Sequence, residues 1–170
     1  MAQHKVVQYK YVELTDLVTT SQVYTGDSQG IHGSKIAEIT MTPKNANNKI
    51  LLDVSIPICG ESGDHSYGYA SAIYLNGYST PIQFWLLTRE HNDQGGVLGN
   101  VNHQDFCSYC CSTDADSALG VSLGLAERTY KLHFGCSGGN ANINGAGNTR
   151  PTSGATSIQS LFTLTEVEEI

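Results

Sequence analysis

The sequence predicts an all-β fold, an antiparallel β-sandwich or jelly roll in a single domain. One sign is a run in which every second residue is apolar, formed by Ile50, Leu52, Val54, Ile56 and Ile58. A period of two is typical of a strand with one face in a core. Another is composition, since 18 glycines and only 15% charged residues suit strands and turns better than a helical bundle. A third is the series of short apolar segments separated by glycine turns, with no crossover helix between them.

Residues 1–18 are predicted to form a short extended N-terminal arm or the first strands. Segments 6–12 and 14–18 are rich in Tyr and β-branched residues, which favours extended structure. Residues 19–34 have several glycines and few apolar side chains, so we expect a loop there. The β-sandwich domain is expected to occupy residues 19–170, and the arm is a candidate for anchoring or strand exchange.

A hairpin-like unit is predicted at residues 36–58. Its strands, 36–42 and 50–58, flank a polar bridge at 43–49. The bridge opens with Pro43 and is rich in Asn, which tolerates turn dihedrals. This unit therefore predicts a half-buried antiparallel sheet.

The remaining strands follow from shorter patterns. Asn76-Gly77 is a strong turn signal between strands at 67–75 and 81–88. Segment 119–126 alternates Leu or Val with small residues, and its two interior glycines would each cost a helix about 1 kcal/mol, so we predict a strand. Further strands are expected at 104–111, 128–135, 141–144 and 159–167, and loops at 91–102 and 138–154.

Charge and cysteine content limit the function classes. A net charge of −7 argues against nucleic acid or an anionic membrane as the main partner. There is no apolar run long enough to span a bilayer and no signal-peptide pattern, so we expect a protein that folds in a cytoplasm. The chain begins with Met1 and is short, so we expect a complete gene product. Five cysteines cannot all pair within the chain, and free thiols are expected.

Three stretches form a recognisable set: EITMTPKNANNKILL at 38–52, RTYKL at 128–132 and SLFTLTEV at 160–167. In order and spacing they resemble small β-sandwich domains of tail-fibre and virion proteins of tailed bacteriophages, especially marine ones. The run TPKNANNKIL is the most specific part. The sequence departs from that pattern in the loop at 23–34 and in its cysteine-rich segment.

The resemblance implies a non-enzymatic structural protein on the surface of the virion, as capsid decoration or as a head or tail fibre. It implies a homo-oligomer, with a trimer as the main expectation, that binds other capsid or tail proteins. The protein would be synthesised and assembled in the host cytoplasm. No cofactor is expected. The alternatives are a tail-associated module that binds a receptor or host-surface glycan and, more remotely, a hydrolase of surface polysaccharide.

Catalytic patterns in the chain lack their structural context. Gly26-Asp27-Ser28-Gln29-Gly30 matches G-x-S-x-G, but neither a buried strand before it nor a helix after it is predicted. Glu61, Asp64 and His65 share one turn, and Glu90, His91 and Asp93 share another. Carboxylates and a histidine in one turn are suitable for general acid–base catalysis. Polar turns commonly contain such residues without that role, so no catalytic residue is assigned.

Metal ligands are concentrated in one segment. His103, Cys107, Cys110 and Cys111 are soft ligands, but zinc usually takes two separated ligand pairs and no second C-x-x-C or H-x-x-x-H exists. Asp114 and Asp116 suggest calcium only weakly, without the further oxygen ligands of an EF-hand loop. We therefore predict no metal site, with the Cys and His cluster as the candidate to test.

Aromatic side chains are the expected contact residues. Phe84 and Trp85 are adjacent in one predicted strand and so belong to opposite faces. With Phe84 assigned to the core, Trp85 becomes a candidate for contact with a partner or ligand. Tyr9 and Tyr11 of the N-terminal arm are the other candidates.

Overall fold

The computed structural model describes ten stretches of the chain, namely residues 3–15, 18–20, 33–60, 68–89, 102–112, 115–116, 121–122, 124–136, 141–143 and 160–170. These contain twelve strands and no helix. The strands are β1 (His4–Leu14), β2 (Val18–Thr20), β3 (Ser34–Met41), β4 (Lys49–Gly60), β5 (Gly68–Leu75), β6 (Gln83–Arg89), β7 (Asn102–Ser112), β8 (Ala115–Asp116), β9 (Val121–Ser122), β10 (Arg128–Cys136), β11 (Ala141–Ile143) and β12 (Ser160–Glu169).

The strands form two main antiparallel sheets, which confirms the all-β sandwich. The first sheet has the order β1-β12-β4-β11-β2, with β7 paired to the other edge of β4. The second sheet has the order β3-β10-β5-β6, and β8 pairs with β9 separately. No helix in the described stretches is long and apolar enough to cross a membrane.

The core lies between the two sheets and is built by alternation along their strands. In the first sheet, β4 contributes Ile50, Leu52, Val54 and Ile56, and β12 contributes Phe162 and Leu164. The second sheet contributes Ile39, Met41, Ile73, Leu75, Tyr130, Leu132 and Phe134. Burying a side chain of this size stabilises the fold by about 1.5 to 3 kcal/mol, so this cluster is the main source of stability.

The predicted hairpin-like unit is not a hairpin, and this part of the prediction was wrong. β3 pairs with β10 in the second sheet, whereas β4 pairs with β12 and β7 in the first. The bridge at 43–48 thus carries the chain from one sheet to the other. Alternation showed that each strand has one buried face, but a period of two does not specify the pairing partner.

Two turn assignments had different outcomes. The Asn76-Gly77 turn does lead from β5 into an antiparallel β6, with Ile73 opposite Gln83. The strand predicted at 119–126 is wrong at its end, because β9 stops at Ser122 and Gly124 lies in a turn with φ of 55°. A positive φ is a conformation that glycine adopts without steric cost, so this glycine marks the turn.

We expect Gly33→Ala to destabilise the fold by at least about 2 kcal/mol. Gly33 has φ of 74°, and a Cβ there would lie 2.0 Å from the backbone oxygen of Phe134, a core residue of β10. A strained backbone conformation costs about 1 to 3 kcal/mol even without a clash.

Gly77→Ala is the matched control, since Gly77 has φ of 88° but no atom within 4 Å of the added Cβ. Urea denaturation of both variants compares the two costs. Equal losses of stability would contradict the prediction, because they would show that the clash with the Phe134 backbone oxygen is relieved without further loss of stability.

Candidate functional site

A buried carboxylate on β12 connects three segments that are distant in sequence. Glu166 is 0% exposed, and its Oε1 accepts hydrogen bonds from Asn48 Nδ2 at 2.7 Å, from the Lys44 amide at 2.9 Å and from the Asn45 amide at 3.4 Å. Its Oε2 accepts from Nε2 of Gln8 on β1. We call this set the Glu166 clamp. It fixes β1 and the 43–48 bridge to the last strand.

The clamp keeps Glu166 ionised. Burial raises the pKa of this carboxyl group, but the hydrogen bonds from Gln8, Lys44, Asn48 and Asn45 outweigh that effect and hold the pKa below its ordinary value of 4.5. A buried charge is tolerated when donors satisfy its oxygens, and here four donors do so.

The asparagines of the TPKNANNKIL run therefore have a structural use. Asn45 Oδ1 accepts a hydrogen bond from the Asn47 amide at 3.0 Å, and the Asn48 amide donates to the Asn45 carbonyl at 3.2 Å. These bonds close the turn and aim Asn48 at Glu166. The most specific motif of the sequence is thus a support for the bridge between the sheets.

β1 is an integral strand at one edge of the first sheet. It pairs with β12 over residues 4–14 and, among the described strands, with no other. On its inner face, Gln8 Nε2 donates to the Thr42 carbonyl at 2.8 Å and Lys10 Nζ to the Thr40 carbonyl at 2.7 Å. Val12 and Leu14 pack against the core. The inner face therefore covers the neighbouring edge of β3.

The outer face of β1 carries an exposed apolar row. Val6, Tyr9 and Tyr11 are 59%, 53% and 57% exposed, and we call them the β1 strip. The rings of Tyr9 and Tyr11 have centroids 5.7 Å apart with an interplanar angle of 34°. Tyr9 lies opposite Thr165 and Tyr11 opposite Thr163 of β12.

The β1 strip is the best candidate contact surface among the described residues. Tyrosine presents a large apolar ring with one polar tip, and such residues are enriched in protein interfaces. The strand that carries them is also a sheet edge, where an approaching chain finds hydrogen-bonding backbone. The predicted contact residues Tyr9 and Tyr11 are thus brought together on an exposed face.

The candidate metal ligands lie on β7, where only the backbone is described. Cys107 is opposite Val54 and Cys111 opposite Ile50, both core positions of β4. Cys110 is opposite Leu51 and belongs to the other face, because residues three apart in a strand face opposite ways. In the stretches that the structure describes, no group of three or more His, Cys, Asp or Glu is placed to hold a metal ion.

Trp85 lies in β6 opposite Ser71. Ser71 is fully buried and shares its face of β5 with the core residue Ile73. The register therefore assigns Trp85 to the core-side face of β6 and Phe84, opposite Ala72, to the other face, so the predicted assignment of the two faces was wrong. The side chain of Trp85 is outside the described part of the structure, so its role as a contact residue stays a prediction.

Several sequence candidates lie outside the described residues. They are the G-x-S-x-G run at 26–30, the turns with Glu61, Asp64 and His65 and with Glu90, His91 and Asp93, and Asp114 of the weak calcium pattern.

Sequence reasoning missed Glu166, although a signal for it was present. Phe162, Leu164 and Glu166 occupy one face of β12, and the first two are core residues. An acidic residue that continues an apolar alternation is a candidate for a buried carboxylate, since buried charges require partners.

Replacing Glu166 with Gln is expected to lower the free energy of unfolding by about 2 to 3 kcal/mol. The amide NH₂ would face one of the present donors, and hydrogen bonds to charged groups contribute about 1.5 to 3 kcal/mol. Urea denaturation at pH 7 measures the loss. Glu168→Gln is the control, because Glu168 is exposed and its ion pair with Lys5 is 4.0 Å long. A loss below 0.5 kcal/mol, as is usual for surface changes, would contradict the clamp.

The contribution of Glu166 should also depend on pH. Because its folded pKa lies below the ordinary 4.5, its stabilisation is complete above that value and is lost as the pH falls through the folded pKa. The stability difference between the native protein and Glu166→Gln should therefore shrink in acid, as measured by urea denaturation from pH 7 to pH 2. A difference that stays constant over this range is the contrary result.

Comparisons with known proteins identify no family. No protein-family model matches the chain, and neither does a curated protein. Dimeric latent PorU from Porphyromonas gingivalis is similar at a TM-score of 0.35 and 12% identity, over 92% of this chain and 13% of that one. A chain from the structure of infectious bursal disease virus strain Gt is similar at a TM-score of 0.35 and 12% identity, over 97% of this chain and 41% of that one. A chain from the strain Gx structure is similar at a TM-score of 0.33 and 9% identity, over 97% of this chain and 42% of that one. The chain spans less than half of each of these proteins, and likenesses this weak carry no argument about function.

Proposed function

We propose that this chain is a non-enzymatic structural protein of a bacteriophage virion, displayed on the particle and assembled as a homo-oligomer, with a trimer as the expected state. The observation that carries the proposal is the β1 strip, an exposed apolar row on an edge strand that the core and the Glu166 clamp hold in place. An assembling protein needs such a surface before assembly and covers it afterwards.

The motif that resembles phage proteins supports the same function. The TPKNANNKIL run lies at the crossing between the sheets, and its polar groups bond to each other and to Glu166. A motif whose role is to maintain the fold is expected to make such internal hydrogen bonds. A particle protein needs a rigid shape and a contact surface, and residues 3–15 and 160–170 supply both.

A receptor- or glycan-binding module of the tail is the second candidate. The observation that favours it is the pair of exposed rings at Tyr9 and Tyr11, whose faces also suit the apolar patches of sugars. A glycan array that compares the native protein with Tyr9→Ala and Trp85→Ala separates the two candidates. Binding that either change abolishes would favour the module.

Antibodies raised against the purified protein are expected to label intact phage particles in electron micrographs. Serum first absorbed with the protein is the control and should not label. In solution, light scattering should give a mass close to three times 18.3 kDa. Purified particles in which mass spectrometry finds no peptide of this chain would overturn the proposal.

A further inference from the structure

We infer that two copies of this chain pack face to face through the outer face of the first sheet, related by a two-fold axis that crosses the strands at Leu51. The outer face is the side of β1, β12 and β4 that points away from the core, and it includes the β1 strip. The inference rests on the proposed homo-oligomer, and it names one surface through which copies meet.

Strand register arranges the outer face in rows that run across the strands. Tyr9 lies opposite Thr165, and Thr165 lies opposite Leu51, so these three form a central row. Along β4, Lys49 precedes this row by two residues and Asp53 follows it by two. The Lys49 side chain is 48% exposed, and Leu51 and Asp53 are partly exposed. β4 therefore presents a positive, an apolar and a negative side chain in order.

This order is complementary to itself. A two-fold axis that lies in the plane of contact and crosses the strands at the central row reverses the direction of β4. Lys49 of each copy then lies over Asp53 of the other, Leu51 meets Leu51, and two ion pairs flank an apolar centre. Opposite charges in register set the orientation of an interface and disfavour other orientations.

β1 follows the same rule on the same axis. Val6 of one copy lies over Tyr11 of the other, and both are apolar side chains more than half exposed in the single chain. Their contact removes apolar surface from water. His4, at one end of the strand, lies over Glu13, near the other end, and an imidazole can donate a hydrogen bond to a carboxylate.

The remaining charged side chain on the outer face of these three strands is Glu169. It lies opposite His4 at the end of the face and 4.0 Å from Lys49. At the rim of the contact this carboxylate stays in water, and Lys49 lies between it and Asp53 of the second copy. A partner that presents the same charges in reverse order is a second copy of this chain, which favours it as the occupant.

The outer face has the size of an interface. It is four strands wide, because β7 continues the sheet beyond β4. Strands about 4.8 Å apart and five rows about 6.8 Å apart cover about 650 Å². Projecting side chains make the accessible area larger than this flat area. A stable interface buries about 800 Å² on each partner, so a contact over the whole face reaches that size.

The charges favour a two-fold axis over a three-fold axis along the strands. A three-fold axis in that direction would bring each side chain near its own counterpart, so that three Asp53 carboxylates would repel one another. The face-to-face contact is therefore separate from a contact that forms a trimer. It doubles the unit that the rest of the surface forms, from one chain to two or from three chains to six.

Charge reversal at two positions tests the contact. In Lys49→Glu two carboxylates face each other at both ion pairs, and in Asp53→Lys two ammonium groups do. The mass of the native protein, measured by light scattering, should double with rising concentration. Each variant alone should raise the dissociation constant of this step at least about 100-fold, since like charges in contact are strongly unfavourable. An equimolar mixture should restore the doubling, because each mixed pair has opposite charges at both places.

Lys35→Glu is the matched control for net charge. The Lys35 side chain is 47% exposed and is paired with Glu38, much as Lys49 is paired with Glu169, but it lies on β3 in the second sheet. This variant should double in mass like the native protein. Circular dichroism melts verify the fold of each variant.

The inference is overturned if the native mass doubles at no concentration, if Lys49→Glu or Asp53→Lys alone doubles like the native protein, or if the mixture behaves like the single variants. A loss of doubling in Lys35→Glu equal to that in Lys49→Glu would also overturn it, because net charge alone would then decide. Labelled virions with a mixture that fails to double would reject the face-to-face contact alone. Unlabelled virions with a mixture that doubles would reject only the virion role.

Discussion

The positions of β1 and of the bridge between the sheets depend on the buried carboxylate of Glu166. Its two oxygens accept hydrogen bonds from the bridge between the sheets and from β1, segments that lie more than 110 residues away in sequence. An ionised carboxylate inside a protein is costly unless its partners are complete. The position of β12 between β1 and β4 is therefore coupled to the conformation of the 43–48 bridge. If one of these parts moved, a buried charge would lose its donors.

This coupling has a consequence for the outer surface. Because Gln8 and Lys10 turn inward to Glu166 and to the edge of β3, the residues between and beside them turn outward. Strand alternation then places Tyr9 and Tyr11 on the exposed face, as a direct result of what holds the inner face. The interaction that fixes the fold thus also displays the surface to which we assign assembly. A rigid strand loses little entropy on binding, which favours contact through its side chains.

The candidate site was only partly accessible to sequence reasoning. Tyr9 and Tyr11 were chosen as contact residues because they lie in an aromatic arm, and the structure explains their exposure by the pairing of β1 with β12. Glu166 was missed because its role requires knowing which loop lies above it.

The sequence by itself determined the all-β class, most strand positions and the core residues Ile50, Leu52, Val54 and Ile56 of β4. These follow from local rules, because alternation and glycine turns act within a few residues. Only the tertiary structure decided that β3 and β4 belong to different sheets, that 119–126 contains a turn at Gly124, and that Glu166 joins the chain ends to the bridge. These features depend on which strands become neighbours. A period of two shows that a strand has a buried face. Which strand pairs with it in the sheet is decided by the packing of the whole chain.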